Sequence, residues 1–175
     1  MIEQNRRLIS AMGMQQNKQG PGSILAGGRA GPQMPWADTT KYVSSTFYVY
    51  EVDTVNLNTQ QSAQLSFNIA GDSDFFWTKF CAFALIDATA TTRADDQLPA
   101  VTALIINTTT GRQYSSAPVP LPNYAGNAQF PFILPVITQW EKKSTIQINL
   151  FNEGDSNYSN LQLSFIGVKA MTQSN

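Results

Sequence analysis

The sequence predicts an all-β fold: an antiparallel two-sheet sandwich of jelly-roll or Greek-key type, carrying an extended N-terminal arm. Three observations predict it. Apolar and polar residues alternate in short runs, most cleanly over residues 64–69, 145–151 and 161–165, the pattern of a strand with one buried face. Clusters of Pro, Asn, Gly and Asp separate these runs. The connections are long and proline-rich, which suits strands that cross between two sheets better than simple hairpins. The expected organisation is an arm over residues 1–36, a β-sandwich domain over 37–170 and a short tail over 171–175.

The arm comes first. Residues 2–14 hold enough apolar positions for a short helix, of a length that is marginal alone in water. From Gln15 onward, Gly20, Gly22, Gly27, Gly28 and Gly31 alternate with Pro21, Pro32 and Pro35, which excludes regular helix and disfavours a central strand. Ile24, Leu25, Arg29, Met34 and Trp36 recur along it as candidate partner-binding anchors. A polar segment with intermittent anchors is of the kind that orders when draped over a partner. Fully extended, it would reach about 120 Å.

In the block that follows, residues 46–52 are rich in aromatic and β-branched side chains and form the first strand. Residues 64–69 place Leu65, Phe67 and Ile69 on one face, and residues 71–74 break the run. Residues 75–86 (FFWTKFCAFALI) are apolar almost throughout, and read as one long strand or two. Residues 87–96 are a polar loop, residues 101–106 a strand, and Thr110-Gly111 a turn before residues 112–114. Four prolines make residues 117–132 an irregular crossing, and Pro135 places residues 133–137 at a sheet edge. Residues 145–151 point Ile146, Ile148 and Leu150 inward. Residues 152–160 form a loop. Residues 161–165 point Leu161, Leu163 and Phe165 inward, and residues 166–168 close the fold.

Composition narrows the function. Charged residues make up 13% of the chain, about half the usual share, and Ser, Thr, Asn and Gln supply 58 of the 175 residues. An uncharged polar surface suits faces that neighbours cover, because buried charge is costly. Residues 1–36 carry Arg6, Arg7, Lys18 and Arg29 against Glu3, whereas residues 37–175 carry seven basic and eleven acidic groups. Nothing approaches the dense Lys/Arg clustering of a nucleic-acid site. Cys81 is the one cysteine, set in an apolar run, and behaves as a small hydrophobe. With no signal-peptide core and no apolar run of membrane-spanning length, the expectation is assembly in a reducing cytoplasm, away from membranes.

The chain has no histidine, which excludes Ser-His-Asp and Cys-His catalysis and imidazole-ligated zinc. The carboxylate pairs Asp72/Asp74, Asp95/Asp96 and Glu153/Asp155 lie in polar turns and read as solvated turn residues rather than as a catalytic or Ca²⁺ pair. Gly27 to Gly31 lacks the strand, helix and Gly-Lys-Ser/Thr of a phosphate loop. Trp77 belongs to the core. Tyr124, Trp140 and Tyr158 are the expected exposed loop aromatics, available as interface anchors or as a sugar platform. No catalytic residue, cofactor or metal is expected.

The β block resembles virion structural proteins of tailed bacteriophages. The likeness is carried by FFWTK (residues 75–79) entering a buried strand, PFILP (131–135), the closing pair TIQINLF and LQLSFIGVK, and the apolar-Gly-apolar-Lys ending Ile166-Gly167-Val168-Lys169. The resemblance implies a non-enzymatic accessory part with a jelly-roll fold: a capsid decoration (cement) or minor capsid protein, or a neck, tail or baseplate adaptor. Its expected partners are copies of itself, as a homo-oligomer, and other virion proteins of the capsid or connector. Its expected place is the virion, assembled in the host cytoplasm. A carbohydrate-binding β-sandwich module is the alternative of another class.

Overall fold

A computed structural model describes residues 34–86, 100–123, 125–126 and 130–173. The arm anchors Ile24, Leu25 and Arg29, the expected loop at 87–96 and Tyr124 lie outside the described residues. Met34–Asn175 forms one compact unit, so Met34 and Trp36 belong with the sandwich rather than with the arm.

The fold is an all-β sandwich of two antiparallel sheets. Sheet one runs β1 (Tyr42–Glu51), β10 (Tyr158–Thr172), β4 (Ser73–Ile86) and β8 (Phe132–Trp140), with the short β2 (Val55–Leu57) also pairing β10. Sheet two runs β3 (Ser62–Asn68), β9 (Thr145–Asn152), β5 (Val101–Asn107) and β6 (Arg112–Gln113), with β7 (Val119–Pro120) also pairing β5. The pairings nest: β1 with β10, β3 with β9, β4 with β8 and β5 with β6. This is one long hairpin folded over on itself, the jelly-roll connection. The chain crosses between sheets in the proline-rich segment 121–131, but also in short turns without proline at 58–61, 69–72, 141–144 and 153–157.

The alternating runs supply the core. Ile146, Ile148, Leu161, Leu163 and Phe165 have no exposed surface and Leu150 almost none. Phe75, Phe80 and Trp77 reach them from β4. β4 is a single strand of 14 residues, buried along most of its length because sheet one flanks it on both sides.

Its pairing with β10 slips by one residue beside Gly167, which explains the glycine. A Cβ there would overlap the Phe76 carbonyl oxygen and lie 2.9 Å from the Phe75 ring. The two main chains approach too closely for any side chain.

Several boundaries differ from the sequence reading: β1 begins at Tyr42 rather than at residue 46, β3 at Ser62 rather than at 64, β8 extends to Trp140, and β2 is not among the expected strands. β10 begins at Tyr158, inside the expected loop, and runs through Thr172 into the expected tail. Asn160, at φ 52°, makes the bulge that hides the early start: pairing shifts between Ser159 and Gln162, so the alternation is broken where the strand begins. Residues 133–137 lie in β8 at the edge of sheet one, where Pro135 costs no ladder bond. Between the pairs Trp77–Thr138 and Lys79–Ile133, β8 spends five residues against two of β4 and bulges outward.

Candidate functional site

The outer face of sheet one is the feature that a core does not explain. Direct neighbours across an antiparallel sheet share a face, so the pairing defines its rows. One row is Phe47, Val168, Phe76 and Gln139; the next is Val49, Ile166, Lys79 and Ile133. Both are apolar but for one amide and one ammonium. Trp36, from the short 3-10 turn Pro35–Ala37, covers part of this face. Its ring centroid lies 5.6 Å from that of Phe76, and Tyr42 meets Phe76 edge-on at 5.7 Å. Ala170, Ile137 and Val168 complete this second, smaller cluster. Beyond it the face is open: Phe47 is 69% exposed and Ile133 67%; Val43 and Val136 are also exposed, in the bulged stretches of β1 and β8. Contiguous exposed apolar surface of this kind marks an interaction site more often than a monomer's ordinary exterior.

Asp74 fixes one end of this face. Expected to be a solvated turn residue, it is instead almost fully buried, at 3% exposure, because β4 starts at Ser73 and takes it into the sheet. Its carboxylate accepts hydrogen bonds from the Tyr42 hydroxyl (2.8 Å), Gln139 Nε2 (2.9 Å) and the Lys142 backbone N–H (2.9 Å), and pairs with Lys41 Nζ at 3.0 Å. Burial pushes its pKa up, but the Lys142 N–H, Lys41 and Tyr42 together outweigh that and hold it below the ordinary 3.8. Lys41 moves the other way, to about 12, chiefly through its contact with the Tyr42 hydroxyl, with Asp74 adding to it against desolvation. The carboxylate is thus saturated with donors and is a tie between β1, β4 and the β8–β9 turn, not a general base.

Two of the expected exposed aromatics are not exposed. Trp140 has no accessible surface. It is the last residue of β8 rather than part of the charged turn at 141–143, and it faces inward, opposite Phe75. Its indole N–H donates to the Tyr114 hydroxyl at 2.6 Å, and its ring stacks on Trp77 at 5.0 Å. Tyr158 is 5% exposed, held as the first residue of β10 between Leu57 of β2 and Ile86 of β4. Neither offers a ring face to a sugar. Among the expected anchors, Met34 is 53% exposed, whereas Trp36 is half-buried on Phe76.

Under the β8 bulge the sheets part around a cavity of about 290 Å³, lined by Trp77, Ile105, Tyr114, Val119, Phe132 and Leu134. Its walls are mostly apolar, and the hydroxyls among them, Tyr114, Ser115 and Thr138, have no base lining the cavity beside them. Burial pushes the Cys81 thiol up, away from the reactive thiolate. Among the described residues no three acidic or thiol side chains converge as metal ligands, and no helix is long and apolar enough to cross a membrane. The parity of β1 and β4 was the signal available for the apolar outer face: Phe47, Val49 and Phe76 sit on the opposite face from Tyr50 and Phe75. No family model matches the sequence, and no curated protein or solved structure matches it.

Proposed function

We propose that this chain is a non-enzymatic structural component of a bacteriophage particle, self-assembling and attached through its N-terminal arm to the capsid shell or to neighbouring subunits. Decoration or minor capsid protein is the preferred role; a neck, tail or baseplate adaptor of the same particle uses the same surfaces. The observation that carries the reading is the apolar outer face of sheet one, which the sandwich does not need for its own core. The nested jelly-roll order adds to it by analogy of fold alone, since that architecture serves capsids and lectins alike. The apolar-Gly-apolar-Lys ending points toward phage virion proteins.

The energetics favour an arm that does more than insert side chains. Ordering a residue costs about 1–2 kcal/mol of backbone entropy. A buried anchor such as Ile24 or Leu25 returns about 1.5–3 kcal/mol at best. Main-chain hydrogen bonds to a neighbour are therefore part of the attachment, by strand addition, and repetition over many subunits supplies avidity.

The test is a deletion of residues 1–33, which spares Trp36 and its contact with Phe76. The truncated protein should keep the far-ultraviolet spectrum and cooperative unfolding of the sandwich, yet fail to co-sediment with particles that bind the full chain. Attachment equal to that of the full chain would contradict the reading.

A further inference from the structure

β1 is the outermost strand on one side of sheet one, and among the described residues no strand pairs with its far edge. Natural edges are blunted by proline, lysine, bulges or short length. The opposite edge, β8, has Pro135 and a wide bulge. β1 has ten residues and no proline or glycine; it bulges once, at Val43, where pairing shifts between Tyr42 and Ser44, and is unshifted from Ser44 to Glu51.

The phase of its free groups follows from one bond. Val52 donates its backbone N–H to the Leu163 carbonyl at 3.0 Å. Antiparallel ladders alternate, so Tyr50, Tyr48 and Thr46 direct their main-chain groups at β10, while Glu51, Val49, Phe47 and Ser45 direct theirs outward.

The sequence of this edge is nearly palindromic in character. Residues 41–51 read Lys-Tyr-Val-Ser-Ser-Thr-Phe-Tyr-Val-Tyr-Glu. Reversed about Thr46, Tyr meets Tyr, Val meets Val, each small serine meets an aromatic ring, and Lys meets Glu.

We propose that the free edge of β1 pairs antiparallel with the same edge of a second copy, about a two-fold axis at Thr46, joining two copies of sheet one into a continuous sheet. This rests on the self-assembling reading above and names the contact it uses. Ser45 then faces the partner's Phe47 and Ser44 the partner's Tyr48, within the unshifted stretch that begins at Ser44, so that the outward-directed groups of residues 45 and 47 meet in phase. Lys41, beyond the bulge at Val43, lies at the end of the joined edge nearest the partner's Glu51. Lys41 keeps Asp74 at 3.0 Å and is still 49% exposed, and an ammonium has donors for both carboxylates. Phe47 lies diagonally across from the partner's Phe47, a separation aromatic side chains span, and the pair covers rings now 69% exposed. An isologous contact of this kind closes at two copies and leaves the outer face of the joined sheet for the particle.

The register makes the test sharp. Thr46 opposes itself as a non-hydrogen-bonded pair, the closer kind, within the reach of a disulfide. Thr46→Cys in the full chain should therefore convert to a covalent dimer under mild oxidation. Ser44→Cys, which faces the partner's Tyr48, and the wild type, with Cys81 alone, should not.

Ser45→Pro removes an outward N–H and should raise the dimer dissociation constant by about tenfold or more in sedimentation equilibrium, with the circular dichroism of the monomer kept. If that variant does not fold, Glu51→Lys, which sets two ammonium groups together, should weaken the dimer in the same direction.

A Thr46→Cys protein that stays monomeric overturns the proposal. So does cross-linking of Ser44→Cys as efficient as that of Thr46→Cys, or a dimer abolished by deleting residues 1–33 and untouched by Ser45→Pro. Particle co-sedimentation separates the two readings: edge pairing lost with attachment intact removes this contact alone, whereas wild-type attachment by the 1–33 deletion removes the proposed function.

Discussion

At the scale of the residue, Asp74 carries the most. Replacing it by Asn removes the charge that Lys41 pairs with and leaves an amide among donors. Asp74→Asn should cost about 2–3 kcal/mol in denaturant unfolding, below the full value for a buried pair because Lys41 is half exposed. The pH dependence has a definite sign. The folded-state pKa of Asp74 lies below the ordinary 3.8, so its contribution is present above that value and is lost as pH falls from 3.8 through the lowered one. The acid limb of the wild-type stability profile should therefore be steeper than that of Asp74→Asn. Gly167→Ala tests the close approach of β10 to β4: the added methyl meets the Phe76 carbonyl, and the loss should be about 3 kcal/mol. Trp140→Ala should cost about 3–5 kcal/mol and Trp140→Phe less; both lose the N–H that donates to Tyr114, so the difference reports the packing of the ring.

At the scale of the element, strands with clean alternation were legible and strands with irregular pairing were not. β9 and the middle of β10 alternate without interruption, and their inward residues are those the pattern selects. The start of β10 was hidden because Asn160 adopts φ 52° and inserts a residue into both of its pairings. Asparagine tolerates that conformation and a β-branched residue does not. Asn160→Val should destabilise by about 1–2 kcal/mol in thermal unfolding, and Asn160→Gly should be nearly neutral.

Trp140 was misread for a different reason. Its neighbours at 141–143 are charged and form the turn, but a strand end takes its exposure from its parity, not from the residues that follow. Asp74 was misread in the same way, as the tail of a turn when it is the second residue of β4. The outer face of sheet one escaped the sequence reading because its apolar positions interleave with those of the core. A strand apolar on both faces reads simply as buried, until the sheet order shows that only one of its faces has a second sheet against it.

At the scale of the whole molecule, the sandwich satisfies itself internally and not externally. Among the described residues every buried side-chain polar atom has a hydrogen-bond partner, and the core between the sheets is rich in stacked aromatic rings. Yet Phe47, Ile133 and Val136 remain on the surface. Charge on the β1 side of that surface should abolish assembly without unfolding the domain. Phe47→Asp is expected to leave the unfolding midpoint within the range of an exposed substitution, about 0.5 kcal/mol, while eliminating particle attachment or self-association in sedimentation. A variant that unfolds instead would mean that Phe47 supports the fold and not a contact.

The central claim is that the sandwich is a part of a larger particle, covered on sheet one and held by its arm. Electron cryomicroscopy of the protein co-expressed with its genomic neighbours tests it most directly. The predicted result is density for the jelly roll on a shell, neck or tail, with the outer face of sheet one against a neighbour and residues 1–33 traced across an adjacent subunit. A monodisperse monomer that joins no assembly, with Phe47 and Ile133 in solvent, would contradict it.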